Sequence, residues 1–291
     1  MSSRVGFVLY CLLLSVFSGS FAADVNEVLA ERQKLLDQED KRFLGGSLTL
    51  TADEEAANAV LMQIKYDEYD RAFADLSFPP AGHFFNTKPA VLQSQVYQII
   101  RQMPKGGVLH AHDIAITPID FLVKDVSYRS DLYVCAPATD PVNFLFASSP
   151  PPNLETCTWA LVADVRAQQG ATQFDAWLRS KLSLYTATPD VTYPNINTVW
   201  RAFENTLGAA FGMITYYPVF YEYFYRALQM FYDDNVQYVE IRTTLPQVYF
   251  LNGTLLDEFQ VTELYKTVFD SFKSDHPDFS GAKIIFAPIV S

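Results

Sequence analysis

The sequence predicts an α/β protein in which parallel strands alternate with helices. Strand-like runs at 236–242 and 282–290 flank an amphipathic helical pattern at 256–276. A further strand-like run ends at residue 112, much earlier in the chain. Strand, helix and strand in this order are typical of parallel βαβ units, so these runs are predicted to be the first three strands of a (β/α)8 barrel.

The first 22 residues have the pattern of a secretory signal peptide. Arg4 supplies the positive charge, residues 5–17 form the apolar centre, and Ser20-Phe21-Ala22 offers a small-x-small cleavage site. The apolar centre is shorter than the roughly 20 residues that a membrane-spanning helix needs. We therefore expect a secreted, extracellular chain without a membrane span.

Residues 23–103 are predicted to form a helical domain before the first strand. Apolar residues recur at helical spacing across 24–44, with a seven-residue echo, and two glycines end this first helix. Thr51 and Glu54 have the spacing of a capping box that begins a second helix. A third helix is predicted at 89–103. Three helices exceed what a barrel needs, and they could either cap its end or join two chains.

The most informative motif is His110-Ala111-His112-Asp113, in the predicted strand segment 104–122. Alternate side chains of a strand point to the same face, so the two imidazoles should project side by side at the strand's end. They would form half of a metal site, and Asp113 would add a carboxylate. A His-x-His pair alone is common and often structural, but Gly106-Gly107 here allows a tight backbone turn into the strand.

The segment 123–185 reads as an irregular, Pro-rich insertion after the first strand. A loop of this length is normally functional or a small inserted domain. It contains Cys135 and Cys157, and Cys11 would be removed with the signal peptide. An even pair of cysteines in an oxidising compartment suggests one disulfide, which in the chain-entropy model contributes roughly 3 kcal/mol.

Residues 186–291 hold the remaining barrel elements. Pro218 is predicted to lie in the first turn of a helix that reaches Asp234, ahead of the two strands described above. Asn252-Gly253-Thr254 is a glycosylation sequon, so we expect a glycan at Asn252. The net charge of -12 and a pI near 4.7 argue against nucleic acid and anionic membranes as electrostatic partners.

The run Met-Pro-Lys-Gly-Gly-x-Leu-His-x-His-Asp at 103–113 closely resembles the first zinc-binding strand of secreted, growth-factor-type adenosine deaminases. Further matching segments follow in chain order, at 78–85, 197–204, 217–220 and 231–242. The matches span nearly all of the mature chain, so chance explains them poorly.

The resemblance implies zinc as cofactor, with His110 and His112 as ligands, and a reaction that converts adenosine or a related nucleoside to inosine and ammonia. It also implies a disulfide within the insertion, a possible cell-surface receptor for that insertion, and a homodimer formed through the N-terminal helices. The substrate contacts that it implies are Asp113, Trp200, Phe203, Glu204 and Leu207. For Trp200 an ordinary core position is an equal alternative.

The sequence departs from the family pattern in its histidines. The family takes its third zinc-binding His, its proton-donating Glu, another active-site His and an Asp-Asp pair from later strands. This sequence has four histidines. His83 is predicted to be structural, and His276 is predicted to lie on the surface. Ile289 stands where the family often has a His after the third strand. We therefore expect no catalytic residue in this chain, and a truncated product that is inactive by itself.

Two other functions fit the same residues. A non-catalytic secreted growth-factor-like or receptor-binding protein is one, because the helical segment and the insertion look complete while the barrel does not. The second is a different metal-dependent barrel hydrolase, because His-x-His on the first strand is widespread among such enzymes. The matches at Trp200 and at 217–220 favour the deaminase.

Overall fold

The computed structural model describes residues 24–138 and 141–288. The predicted signal peptide and Ile289 lie outside these residues. The chain divides into two compact units, residues 1–87 and 88–291. Within the described ranges, no helix combines the length and the apolar composition that crossing a bilayer requires.

The first unit contains two long helices, α1 (Val25–Asp40) and α2 (Ala52–Ala74). The capping box predicted for the second helix is confirmed: the main-chain nitrogen of Glu54 donates to Thr51 Oγ1 at 3.3 Å, and Thr51 N donates to Glu54 Oε2 at 2.7 Å. Neither helix has a fully buried residue, and most apolar side chains of the first predicted stripe are exposed, while Leu36 is half-buried.

The prediction of one helix at 89–103 is wrong. The structure has two helices here, α3 (Phe84–Gln93) and α4 (Gln95–Ile100). Ser94 separates them because its backbone is extended and its hydroxyl accepts a hydrogen bond from Tyr97 N at 3.1 Å. A serine in this conformation begins a new helix rather than continuing the old one.

The second unit contains two three-stranded sheets and the helices that cover them. The strands are β1 (Gly107–His112), β2 (Leu132–Cys135), β3 (Asn143–Phe146), β4 (Ala160–Leu161), β5 (Tyr238–Thr243) and β6 (Gly281–Phe286). The helices are α5 (Ile119–Lys124), α6 (Val162–Gln169), α7 (Ala171–Lys181), α8 (Pro189–Thr192), α9 (Ile196–Ile214), α10 (Tyr217–Asp233) and α11 (Glu258–Asp275). One sheet is parallel, in the order β1-β5-β6, and the other is antiparallel, in the order β3-β2-β4.

The parallel sheet is consistent with the predicted partial α/β barrel. Along β5, Val239, Ile241 and Thr243 are buried, while Glu240 and Arg242 on the opposite face are only half-buried. The buried face contributes to a core in which α10 and α11 meet, where Phe220 packs edge-on against Tyr265 with ring centroids 5.0 Å apart. The helices therefore cover one face of the sheet, and the polar side chains occupy the other.

The insertion is not irregular, because it contains the antiparallel sheet together with α6 and α7. Its predicted disulfide is confirmed: Cys135 and Cys157 are bonded, with Cα atoms 5.6 Å apart. Its buried side chains belong to the same hydrophobic core as those of the parallel sheet. Tyr249 OH joins the two parts, since it accepts from Phe146 N at 2.9 Å and donates to the carbonyl of Gly212 at 2.7 Å.

Candidate metal and substrate site

The two histidines of the motif meet at the end of β1. Their Nε2 atoms are 3.2 Å apart and their ring centroids are 5.2 Å apart. Both side chains are exposed, while Ala111 between them is buried on the helix-covered face. The predicted side-by-side placement is therefore confirmed, and the role of the pair as zinc ligands stays a prediction.

The backbone before the pair is fixed by the neighbouring strand. Gly106 has φ +66°, a conformation that favours glycine, and its carbonyl accepts from Gln237 N at 2.7 Å. Lys105 N also donates to the carbonyl of Asn235 at 2.9 Å. The start of β1 is thus aligned with the start of β5, which places the histidines at the carboxyl end of the parallel sheet. This is the end at which barrel enzymes place their active sites.

The separation of the imidazoles fits zinc. Two nitrogens bound to one tetrahedral zinc ion at about 2.0–2.1 Å lie roughly 3.3 Å apart. The Nε2 atoms of His110 and His112 lie 3.2 Å apart, a distance that matches this geometry and also allows a hydrogen bond between the two rings. Among residues 24–138 and 141–288, no group of three or more His, Cys, Asp or Glu side chains could hold a metal ion together. The spacing of His110 and His112 therefore suits two of the three protein ligands that a catalytic zinc needs, and the described residues offer no third.

Asp113 links the ends of two strands. Asp113 is 8% exposed, and the Thr243 hydroxyl and the main-chain N–H groups of Ile114 and Thr244 are the polar groups nearest its carboxyl. Burial raises the pKa of this carboxyl, and these polar neighbours together with the charge of His112 partly oppose the rise. Tyr265 OH in turn donates to Thr243 Oγ1 at 3.2 Å. Asp113 is thus buried directly after the histidine pair, and its predicted contact with substrate stays a prediction.

The turn that follows β1 is anchored by α10. Tyr223 OH accepts hydrogen bonds from the main-chain nitrogens of Ile116, at 3.1 Å, and Thr117, at 3.3 Å. Thr117 Oγ1 donates to the carbonyl of Tyr223 at 3.1 Å. Sequence reasoning missed Tyr223, because its spacing in the helix marks it only as one more core aromatic.

The predicted nucleoside contacts lie on one side of α9. Trp200, Phe203, Glu204 and Leu207 follow the spacing at which helical side chains share a face. Trp200 is 60% exposed, so it is not a core residue of the described chain, and its ring centroid lies 5.6 Å from that of Phe203. The helix also packs against the 3-10 turn Asp113–Ala115. The helix that carries the exposed aromatic face therefore contacts the turn that follows β1.

Two residues near the histidines were not assigned a role from the sequence. Arg242 is the register partner of His112 on β5, and its guanidinium donates to the carbonyl of Leu109. It also forms an ion pair with Glu240 at 3.5 Å. The alternation in the sequence places Glu240 and Arg242 on one face, but it does not reveal the contact with β1.

The other two histidines have local packing roles. His276 was predicted to be a surface residue, but it is half-buried and stacks on Phe272 with ring centroids 4.2 Å apart. The helix end turns this ring inward, where it also lies 4.4 Å from the ring of Tyr232. His83 Nδ1 accepts from Phe85 N at 3.3 Å, in agreement with the structural role expected of it.

Comparison with known proteins gives consistent matches. A family model described as Adenosine/AMP deaminase N-terminal matches residues 8–100. Adenosine deaminase 2-A of Danio rerio is 39% identical over 280 residues, which cover 96% of this chain and 54% of that protein. Adenosine deaminase 2 of Homo sapiens is 41% identical over 279 residues, covering 95% of this chain and 55% of the relative. Adenosine deaminase of Lutzomyia longipalpis is 39% identical over 260 residues, which cover 89% of this chain and 51% of that protein. The chain thus spans about half the length of the curated relatives it matches.

Proposed function

This chain belongs to the adenosine deaminase family, and we propose that it supplies the first two zinc ligands of a secreted, zinc-dependent deaminase of adenosine or a related nucleoside. The proposed reaction is the hydrolysis of adenosine to inosine and ammonia. The observation that carries the proposal is the pair His110 and His112, whose Nε2 atoms lie 3.2 Å apart at the carboxyl end of β1.

His110 and His112 would hold a zinc ion together with further ligands, and the bound ion would activate water for attack on the purine carbon that bears the amino group. The protein's part is to orient the ligands and the substrate. Asp113 is buried at the end of β1, where Thr243 and two main-chain N–H groups are the polar neighbours of its carboxyl. A carboxylate beside the metal position is suited to accepting a hydrogen bond from a nucleoside hydroxyl and so orienting the substrate.

The exposed face of α9 is proposed to bind the purine. Trp200 and Phe203 offer tilted rings with centroids 5.6 Å apart, and both rings are accessible. An aromatic ring that stacks on a base contributes about 1–3 kcal/mol to binding. Glu204 and Leu207, on the same side of the helix, would border the bound nucleoside.

Secretion and assembly are proposed from other parts of the chain. The Cys135–Cys157 disulfide supports an oxidising compartment, since such bonds are rare in the cytosol. Asn252 is exposed in a tight turn in which its Oδ1 accepts from Thr254 N at 3.0 Å, so a glycan there would meet no packed side chain. The exposed apolar stripe of α1 supports a homodimer formed through the N-terminal helices.

Binding of a cell-surface receptor is a second candidate function. The exposed loop 148–156 is closed by the Cys135–Cys157 disulfide, and Leu154 at its tip is 44% exposed. Because the insertion shares the core of the second unit, the intact chain rather than residues 123–185 should be used in binding assays. Capture of a cell-surface protein by the intact chain, abolished by Leu154→Asp, would support this function; equal capture by both would argue against a role for the loop.

The zinc proposal can be tested on the intact chain with its own histidines as controls. Zinc is added to the purified chain while the imidazole resonances are followed by NMR. We expect those of His110 and His112 to shift together and saturate, while those of His83 and His276 stay in place. Equal shifts of all four, or no shift of the motif pair, would contradict the proposal.

The described residues offer two zinc ligands rather than three, so binding should be weak. We expect the 291-residue chain alone to release no detectable ammonia from adenosine in the presence of zinc. Steady ammonia release that is abolished by His110→Ala would show that two ligands suffice here.

A further inference from the structure

We propose that Arg242 is a positioning residue, which holds a bulge in β1 and thereby sets the separation of the two imidazoles. This inference rests on the proposed function, because the separation matters only if His110 and His112 share a metal ion. Arg242 itself touches neither metal nor substrate in this role. It acts through the main chain that carries His110.

The bulge is visible in the register of the parallel sheet. Val108 pairs with Val239, and Ala111 pairs with Ile241, so three steps along β1 oppose two steps along β5. One extra residue is therefore accommodated at Leu109 and His110. Bulges are uncommon in parallel sheets and frequently lie beside active sites, where they redirect a side chain.

The extra residue changes which side chains share a face. Strict alternation would place Val108, His110 and His112 together on one face. With the bulge, Val108 instead packs against the core, as Ala111 does, while His110 and His112 both remain exposed. Leu109 is 58% exposed, as expected of a residue displaced from the ladder. The conformation of Leu109 and His110 therefore decides where the first imidazole points.

Arg242 fixes that conformation from the neighbouring strand. Its Nη1 donates to the carbonyl oxygen of Leu109, which belongs to the peptide plane joining Leu109 to His110. Holding this carbonyl restricts the backbone rotation that aims the His110 side chain. The guanidinium is held in its turn by Glu240 at 3.5 Å, and Tyr238 OH donates to Glu240 Oε1 at 3.0 Å.

An arginine suits this task better than a lysine. Both contacts are made by Nη1, and the planar guanidinium presents this N–H group in a fixed geometry, whereas an ammonium is a flexible point charge. The Arg242 side chain is 23% exposed and that of Glu240 is 25% exposed, so both are partly shielded from water. The network runs from Tyr238 through Glu240 and Arg242 to the bulge.

Electrostatics predicts the opposite effect from positioning, which makes the inference testable. Arg242 is a cation beside a proposed site for a dication, so removing its charge should strengthen zinc binding by Coulomb's law. Removing a positioning contact should weaken zinc binding instead, by roughly 10- to 100-fold for residues that support metal ligands. The sign of the change therefore separates the two roles.

Lys283 provides the matched control. It is exposed on β6 as the register partner of Glu240, so it carries a positive charge on the same face of the sheet. Among the described contacts, it makes no bond to β1. Lys283→Met therefore removes a nearby charge without disturbing the bulge.

The experiment is zinc titration of the intact chain by calorimetry, for the wild type, Arg242→Met, Arg242→Lys and Lys283→Met. We expect the Kd for zinc to rise at least about 10-fold in Arg242→Met, and also to rise in Arg242→Lys, which keeps the charge but loses the rigid guanidinium. Lys283→Met should bind as the wild type does or slightly tighter. Unchanged or tighter binding in either Arg242 variant would overturn the proposal.

A second readout works without metal and separates this inference from the proposed function. In the metal-free chain, the imidazole NMR signals of His110 and His112 report their mutual contact. Arg242→Met, or Arg242→Lys if the first variant does not fold, should shift both signals, while Lys283→Met should leave them in place. Unshifted signals in the Arg242 variant would reject positioning, even if the wild-type chain proved not to bind zinc.

Discussion

The two sheets of the second unit use their faces for different purposes. The parallel sheet packs one face against helices and leaves His110, His112 and Arg242 on the other. The antiparallel sheet buries Leu132, Val134 and Cys135 of its central strand β2 and is tied by a disulfide. The proposed metal site therefore lies where side chains are not needed for packing. Substitutions in the antiparallel sheet should cost stability but not zinc binding, and substitutions on the open parallel face should do the reverse.

The largest loss of stability is expected from Cys135→Ser. The disulfide closes a segment with a sequence separation of 22 residues. Its removal frees the unfolded chain and should lower the free energy of unfolding by about 3 kcal/mol. Denaturant unfolding measures this loss, and zinc titration of the folded variant should give the wild-type Kd.

Cys157→Ser is the matched variant, because it removes the same bond from the other end. Similar losses in both variants, each with unaltered zinc binding, would support the division between the sheets. A zinc Kd that rises in proportion to the lost stability would show that zinc binding also depends on the antiparallel sheet.

A smaller loss is expected from Gly212→Ala, at the point where α9 approaches the antiparallel sheet. A Cβ at this position would overlap the carbonyl oxygen of Phe144 in β3. Because backbone cannot yield as a flexible side chain can, we expect a loss of about 2 kcal/mol in the free energy of unfolding. Thermal or denaturant unfolding measures it.

Gly208→Ala is the control within the same helix. A Cβ at Gly208 would have no atom within 4 Å, so the higher helix propensity of alanine should stabilise the chain by up to about 1 kcal/mol. Opposite signs for the two glycines are expected. Stabilisation by both would mean that α9 and β3 are farther apart than described.

Almost no loss of stability is expected from Trp200→Ala, because this ring is 60% exposed. Surface substitutions usually change the free energy of unfolding by less than about 0.5 kcal/mol. If the ring stacks on a purine, adenosine should bind about 10-fold more weakly. Phe259, which is 85% exposed on α11, supplies the control: Phe259→Ala should leave adenosine affinity unchanged. Equal affinity in the Trp200 variant and the wild type would remove this residue from the proposed site.

The features that could be predicted from the sequence are those set by local patterns. Thr51 and Glu54 begin a helix because a capping box involves residues three apart, and Pro218 lies in the first turn of α10 for a similarly local reason. The pair His110 and His112 was predictable because a strand projects alternate residues to one side. The disulfide followed from an even number of cysteines in a chain with a secretory pattern.

The features that could not be predicted depend on contacts between distant residues. Arg242 and the Leu109 carbonyl are separated by 133 residues, and nothing in either local sequence indicates that they meet. The bulge is likewise defined only by the partner strand. The strands of the insertion have two to four residues each, too few for an alternating pattern to emerge.

The zinc content of folded His112→Ala tests the central claim most directly. His112 is exposed on the open face, so the variant should fold and unfold like the wild type while losing zinc. Zinc per folded chain is measured after equilibration at one free zinc concentration, with His83→Ala as the control that should retain wild-type zinc. We predict a loss of zinc with unchanged stability in His112→Ala. Full zinc occupancy in that variant, or misfolding with unchanged zinc in the fraction that folds, would show that the metal site lies elsewhere.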